Sequence, residues 1–144
     1  MPFLLFMKVY QTKASKLSGS EYSEVYPKAL SIYKKLKKQS KRRPYIRSPY
    51  FDKDKIFLDY FWEHLHHKVW RDRVRRLKYY PAALDLIEHS KVEPHSKENP
   101  NKTREILHRF AGLTSEKDLF FVQIKEDKKT NQKFFISVFP EELP

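Results

Sequence analysis

Two runs near the C-terminus restrict the fold of this chain more than any other part of it. In Leu119 to Lys125 the even positions Phe120, Val122 and Ile124 are all apolar, while the odd ones pass from Phe121 to Gln123 to Lys125. In Phe134 to Phe139 the even positions are again apolar, and Ser137 stands between Phe135 and Phe139. A period of two predicts strands with one face packed on helices. The other face, with Phe121, Gln123, Lys125, Phe135 and Ser137, is too aromatic for plain solvent and too polar for a core, as a substrate platform is. A third run, Ile106 to Gly112, places the neighbours His108 and Arg109 on opposite faces. Alternation alone leaves open which of them joins the platform.

Charge is distributed unevenly. Residues 1 to 80 hold 20 basic and 7 acidic side chains, and residues 81 to 144 hold 10 and 11, so the whole excess of +12 is N-terminal. A basic segment joined to a near-neutral one predicts a polyanion grip attached to something else. With 144 residues, 40% of them hydrophobic, the chain can bury one core. The apolar run at residues 2–7 is too short for a membrane span or a signal peptide and is expected to dock as a strand, so no membrane association is expected and the location expected is cytoplasmic. There is no cysteine.

Helical spacing of Tyr26, Leu30, Tyr33 and Leu36 predicts a helix from about Tyr22 to Gln39. Seven cations then crowd into the ten residues from Lys34 to Arg43. Beyond them Pro44 and Pro49 impose an extended path on which Arg42, Arg43 and Arg47 alternate with tyrosines, a pattern that can reach phosphates and stack on bases. Ile56, Phe57, Tyr60, Phe61, Leu65, Val69 and Leu77 predict a long helix from about Asp54 to Tyr79, with His64, His67, Lys68, Arg71, Arg75 and Lys78 on its polar side. Pro81 should end it before a short helix, Ala82 to His89, and residues 90–103 read as a loop. His64 and His67 are three apart, but no third ligand and no His-Glu-x-x-His pattern accompany them, so no metal or other cofactor is expected. Among cations, the His64 imidazole should have a lowered pKa and serve as a base at neutral pH.

The expected fold is therefore α+β. Residues 1–50 form a basic N-terminal arm with one helix, and residues 51–144 an α+β domain with a small antiparallel sheet of three to four strands. The stretches Phe61 to Leu65, Arg75 to Lys78, Leu107 to Gly112, Phe121 to Lys125 and Ile136 to Pro140 together resemble the barnase/EndoU/ribonuclease-colicin/RelE-like nuclease superfamily, particularly its phage-associated members, over roughly residues 55 to 140. That resemblance implies a metal-independent endoribonuclease of toxin or mobile-element type. It casts His64, Lys125 and Ser137 as the main catalytic candidates, with His108 or Arg109 assisting. It also makes tRNA or rRNA candidate substrates and an inhibitor or immunity protein a candidate partner. RNA scission of this kind uses the 2′-OH as nucleophile and needs a base, an acid and cations around the phosphorane. Arg42, Arg43, Arg47, Lys68, Arg71, Arg75, Arg76, Lys78 and Gln123 would hold the chain, and Phe121 or Phe135 would stack a base. The competing reading is a non-catalytic RNA- or DNA-binding protein using the basic arm and the Arg-rich helix. A regulator placing the 54–79 helix in a major groove ranks below both, because no tight turn and second helix accompany it.

Overall fold

A computed structural model describes residues 8–141; the apolar run at residues 2–7 lies outside them. The described chain runs β1 (Val9–Gln11), α1 (Tyr22–Gln39), β2 (Tyr45–Ser48), β3 (Asp54–Phe57), α2 (Asp59–Leu65), α3 (Trp70–Lys78), α4 (Tyr80–His89), β4 (His95–Asn99), β5 (Lys102–Leu113), β6 (Leu119–Asp127) and β7 (Lys133–Pro140). The architecture is α+β, as the periodicities predict. The sheet is larger than expected and mixed. Its order is β1-β5-β6-β7-β3-β2, β4 also pairs with β5, and β1 and β3 run parallel to β5 and β7 respectively. The additional strands have three to five residues, too few for a period of two to emerge. One of them, β4, lies in the stretch expected to be a loop. Its sequence His-Ser-Lys-Glu-Asn has no apolar face to bury, and antiparallel backbone pairing with β5 holds it at an edge.

The long helix expected from Asp54 to Tyr79 is not formed. Its first residues are β3, which pairs with β2 across a turn where Asp52 and Lys53 take φ of 53° and 68°. The Lys53 N–H donates to the Ser48 carbonyl at 2.8 Å. Glycine or asparagine ordinarily marks such a turn, and neither is present. A second break, at residues 66–69, separates α2 from α3. The Arg73 guanidinium fastens it by donating to the carbonyls of His66 (2.7 Å) and Lys68 (2.8 Å). The 54–79 segment is thus no uninterrupted helix for a major groove.

Helices cover one face of the sheet. Phe61 of α2 stacks on Phe135 of β7 with centroids 4.9 Å apart and planes 5° from parallel, and Tyr80 of α4 lies 5.1 Å from Phe61. Phe110, Phe120, Val122, Ile124 and Val138 complete the sheet side of this core. Gly112 lets α4 approach β5, since a Cβ there would stand 2.7 Å from Phe120 and 2.8 Å from Leu86. The boundary expected at residue 50 falls inside the β2–β3 hairpin. Val25 and Ala29 of α1 are fully buried in the common core, so the basic N-terminal residues 22–48 are built into the body. No helix among the described residues is long and apolar enough to cross a membrane.

Candidate active site

The geometry of the open face depends on one irregularity. Gln123 of β6 opposes Ser137 of β7, but the next β6 residue, Ile124, opposes Phe135, so Ile136 is an extra residue in β7. Such a bulge reverses which face the side chains beyond it point to. Phe134, Ser137 and Phe139 consequently share the open face, whereas Phe135 and Val138 enter the core. Phe135 is completely inaccessible and does not present a surface for base stacking. The open face then consists of three cross-strand rows: Leu107, Lys125 and Phe134; Arg109, Gln123 and Ser137; Ala111, Phe121 and Phe139.

The edge of β7 supplies the rest. It pairs with β3 only through Lys133 and Phe134, and beyond them α2 and α3 flank it. His64 at the end of α2, Lys68 in the break and Arg76 of α3 meet Gln123, Ile136, Ser137 and Phe139 around a groove of about 440 Å³. The Ser137 hydroxyl donates to Gln123 Oε1 at 3.2 Å. Arg76 donates to Asp72 one helical turn earlier (3.0 Å) and reaches the Val138 carbonyl (3.5 Å). The guanidinium groups of Arg76 and Arg109 lie 5.6 and 5.4 Å from the Phe139 ring centroid. Lys125 Nζ sits 5.1 Å from the Tyr60 ring and 5.5 Å from that of Phe134, with Glu105 3.8 Å away. Desolvation lowers the His64 pKa from its ordinary value, and the electrostatic influence of Lys125, His67 and Lys68 lowers it further against an opposing effect of Glu63. Surrounding cations were the expected cause; desolvation is the larger one.

Arg109 is on the open face, next to the groove residues Gln123 and Phe139, and His108 is not. On the helix-covered side of the sheet, the buried His108 ring has Nδ1 2.6 Å from Ser96 Oγ, and its Nε2 lies 2.7 Å from Glu126 Oε1. Lys133, 3% exposed, reaches Asp54 at 2.8 Å and Glu126 at 3.9 Å beside it. His108 therefore has a polar network of its own and cannot exchange protons with His64 across the sheet. Arg43 is also committed: it grips both oxygens of Asp59 (2.8 and 3.0 Å) and lies over the rings of Phe57, Tyr60 and Phe134. That makes it a clamp between the β2 approach and α2. Arg47 donates to the Lys53 carbonyl at 2.9 Å, and Arg42 is exposed. Phe121 is on the open face but nearly buried, 5.5 Å from Phe139. Arg71, Arg75 and Lys78 lie around a second hollow, together with Trp70.

Sequence reasoning did not single out Tyr60, Phe134, Ile136 or Phe139. Phe139 carried a signal, an odd position next but one to Ser137, and the other three depend on the bulge and the broken helix. No family model matches this chain, and neither does any curated protein or solved structure.

Proposed function

We propose that the protein is a metal-independent endoribonuclease that cleaves by attack of the 2′-OH on the adjacent phosphate. The observation that carries this reading is the convergence of His64, Lys68 and Arg76 over the Arg109, Gln123 and Ser137 row, beside Lys125. A neutral imidazole, at least one half-buried ammonium, two guanidinium groups and a hydroxyl are the groups that phosphoryl transfer within RNA requires. His64, held neutral at pH 7, takes the 2′-OH proton as the bond from O2′ to phosphorus forms. The bond from phosphorus to O5′ breaks, and O5′ takes a proton from the Lys125 ammonium. Arg76 and Arg109 face the growing charge on the non-bridging oxygens. Ser137 turns its hydroxyl proton from Gln123 to one of those oxygens. DNA lacks the nucleophile and is spared.

The test is incubation with tRNA, rRNA and a matched DNA oligonucleotide in EDTA, alongside Lys125→Ala and Ser137→Ala. RNA-only cutting with 2′,3′-cyclic phosphate ends, lost in both variants, is the expected result. Tight binding with no fragments from any RNA would favour a binding module.

A further inference from the structure

The side of α3 turned away from the groove carries a hollow of about 590 Å³ between that helix and the start of α1, lined by Tyr22, Trp70, Arg71, Val74, Arg75 and Lys78 among others. Trp70 is 61% exposed, and with Val69 it is one of the two large apolar side chains left exposed among the described residues. It is also held in place. Tyr22 meets it edge to face at 4.6 Å, and the Arg73 guanidinium lies 4.6 Å from its ring centroid, itself fixed by the His66 and Lys68 carbonyls. An indole already positioned gives up little rotamer freedom when a ligand stacks on it.

We propose that this hollow is a second nucleotide subsite for single-stranded RNA, with an unpaired base stacked on Trp70 and its phosphates paired with Arg71, Arg75 and Lys78. The proposal deepens the ribonuclease reading and rests on it for the choice of nucleic acid. Charge complementarity selects the occupant: three cations line the hollow with one carboxylate, Glu21, and although Arg75 also lies 3.8 Å from Asp72, that carboxylate is shared with Arg76 at 3.0 Å. A concave site combining one flat ring with cations fits a nucleotide, which has one flat apolar part and one anionic part. A lipid surface would call for a broad convex apolar patch, which Val69 and Trp70 do not make. The same helix forms the wall of both sites, because Arg75 lines the hollow and its neighbour Arg76 lines the groove. A strand crossing the crest of α3, a helix about 10–12 Å wide with its side chains, reaches from one to the other.

Only Trp62 and Trp70 contribute indole emission, and Trp62 is 8% exposed, so intrinsic fluorescence isolates the hollow. The experiment titrates the full chain with a 2′-O-methyl oligoribonucleotide, which lacks the nucleophile and cannot be cut. Saturable quenching is expected. It should persist in Trp62→Phe and disappear in Trp70→Leu, and Trp70→Ala should weaken binding about 5- to 150-fold, with partial recovery in Trp70→Phe. Joint replacement of Arg71, Arg75 and Lys78 by alanine should flatten the salt dependence by about two log units per decade. Binding by Trp70→Ala within twofold of the unsubstituted protein overturns the proposal. So does quenching by anionic phosphatidylserine vesicles with none by the oligonucleotide. Cleavage of unmodified RNA is scored separately. Quenching without cleavage by the unsubstituted protein leaves this subsite standing and removes the ribonuclease reading, whereas cleavage without quenching does the reverse.

Discussion

Replacing Lys125 by alanine separates chemistry from binding. The side chain is about one-quarter exposed, its nearest carboxylate is 3.8 Å away, and its stem rests beside Tyr60 and Phe134. Lys125 and Glu105 are both largely covered, so loss of this long contact costs about 1–3 kcal/mol of stability. On the proposed mechanism the lysine's contribution to the ground-state hold on RNA is that of one phosphate contact, so the slope of log affinity against log salt should change by about 0.7. On the same proposal it both donates a proton to O5′ and faces the charged phosphorane in the transition state. Loss of a positioned acid lowers kcat by about 10²–10⁴, or roughly 3–5 kcal/mol of barrier. A second effect follows from its neighbour. The Lys125 charge lowers the His64 pKa, so its removal moves that pKa up, and the pH at which His64 becomes available as a base rises with it. The assays are kcat and KM on a fluorogenic RNA across pH, and the imidazole ¹⁵N shifts of His64 in the same range. A change in KM with kcat intact, or a His64 titration that stays in place or moves down, would refute the assignment.

Phe135→Ala should cost about 3–5 kcal/mol, the usual cost of emptying a fully buried phenyl site, seen as a lower urea midpoint; unchanged stability would mean that the ring faces solvent after all. His108→Ala should destabilise by about 1–3 kcal/mol by leaving Glu126 and Ser96 without their partner, while kcat per folded molecule stays constant; a fall of kcat matching that of His64→Ala would return His108 to the reaction. Asp127 is held at a pKa of about 2, below its ordinary value, chiefly by the Arg104 guanidinium, and also by the amides of Lys129 and Thr130. Its stabilising effect is complete above about pH 4 and is lost as pH falls toward 2. Asp127→Asn should therefore show a shallower loss of stability over that interval, and a loss as steep as that of the parent would remove the pair from the account.

What was legible in the sequence followed from periodicity over long enough runs. The helix from Tyr22 to Gln39 has the bounds its spacing predicts, Pro81 marks the passage from α3 to α4, and the 106–112, 119–125 and 134–139 runs are strands. What was not legible depended on local events without a residue signature. The turn at Asp52 and Lys53 takes positive φ without glycine, so Ile56 and Phe57 joined a helical stripe on paper. The extra residue in β7 has no composition cue either. A tertiary clue did exist: Glu126 and Lys133 are opposite charges that pair across β6 and β7. Pairing them puts Lys133 and Phe135 on the same side as Ile124, in conflict with burying Ile136 and Val138 together. Only an added residue resolves that conflict.

The same two irregularities make the groove. Without the bulge, strict alternation from Lys133 would put Phe135 into the core and then send Ser137 after it, leaving the open face with Gln123 but no hydroxyl opposite it. Without the break at residues 66–69, Lys68 and Arg76 would lie on one straight helix with His64. That helix could not follow β7 past the point where β3 stops pairing with it. The short α2 buries Phe61 against Phe135 and ends at the sheet edge, and α3 then turns so that Leu77 enters the core while Arg76 reaches the Val138 carbonyl. Deleting Ile136 tests the bulge directly: Phe135 then keeps its place opposite Ile124 and Ser137 its place opposite Gln123 on consecutive residues, so both keep their faces and the groove loses the Ile136 wall alone.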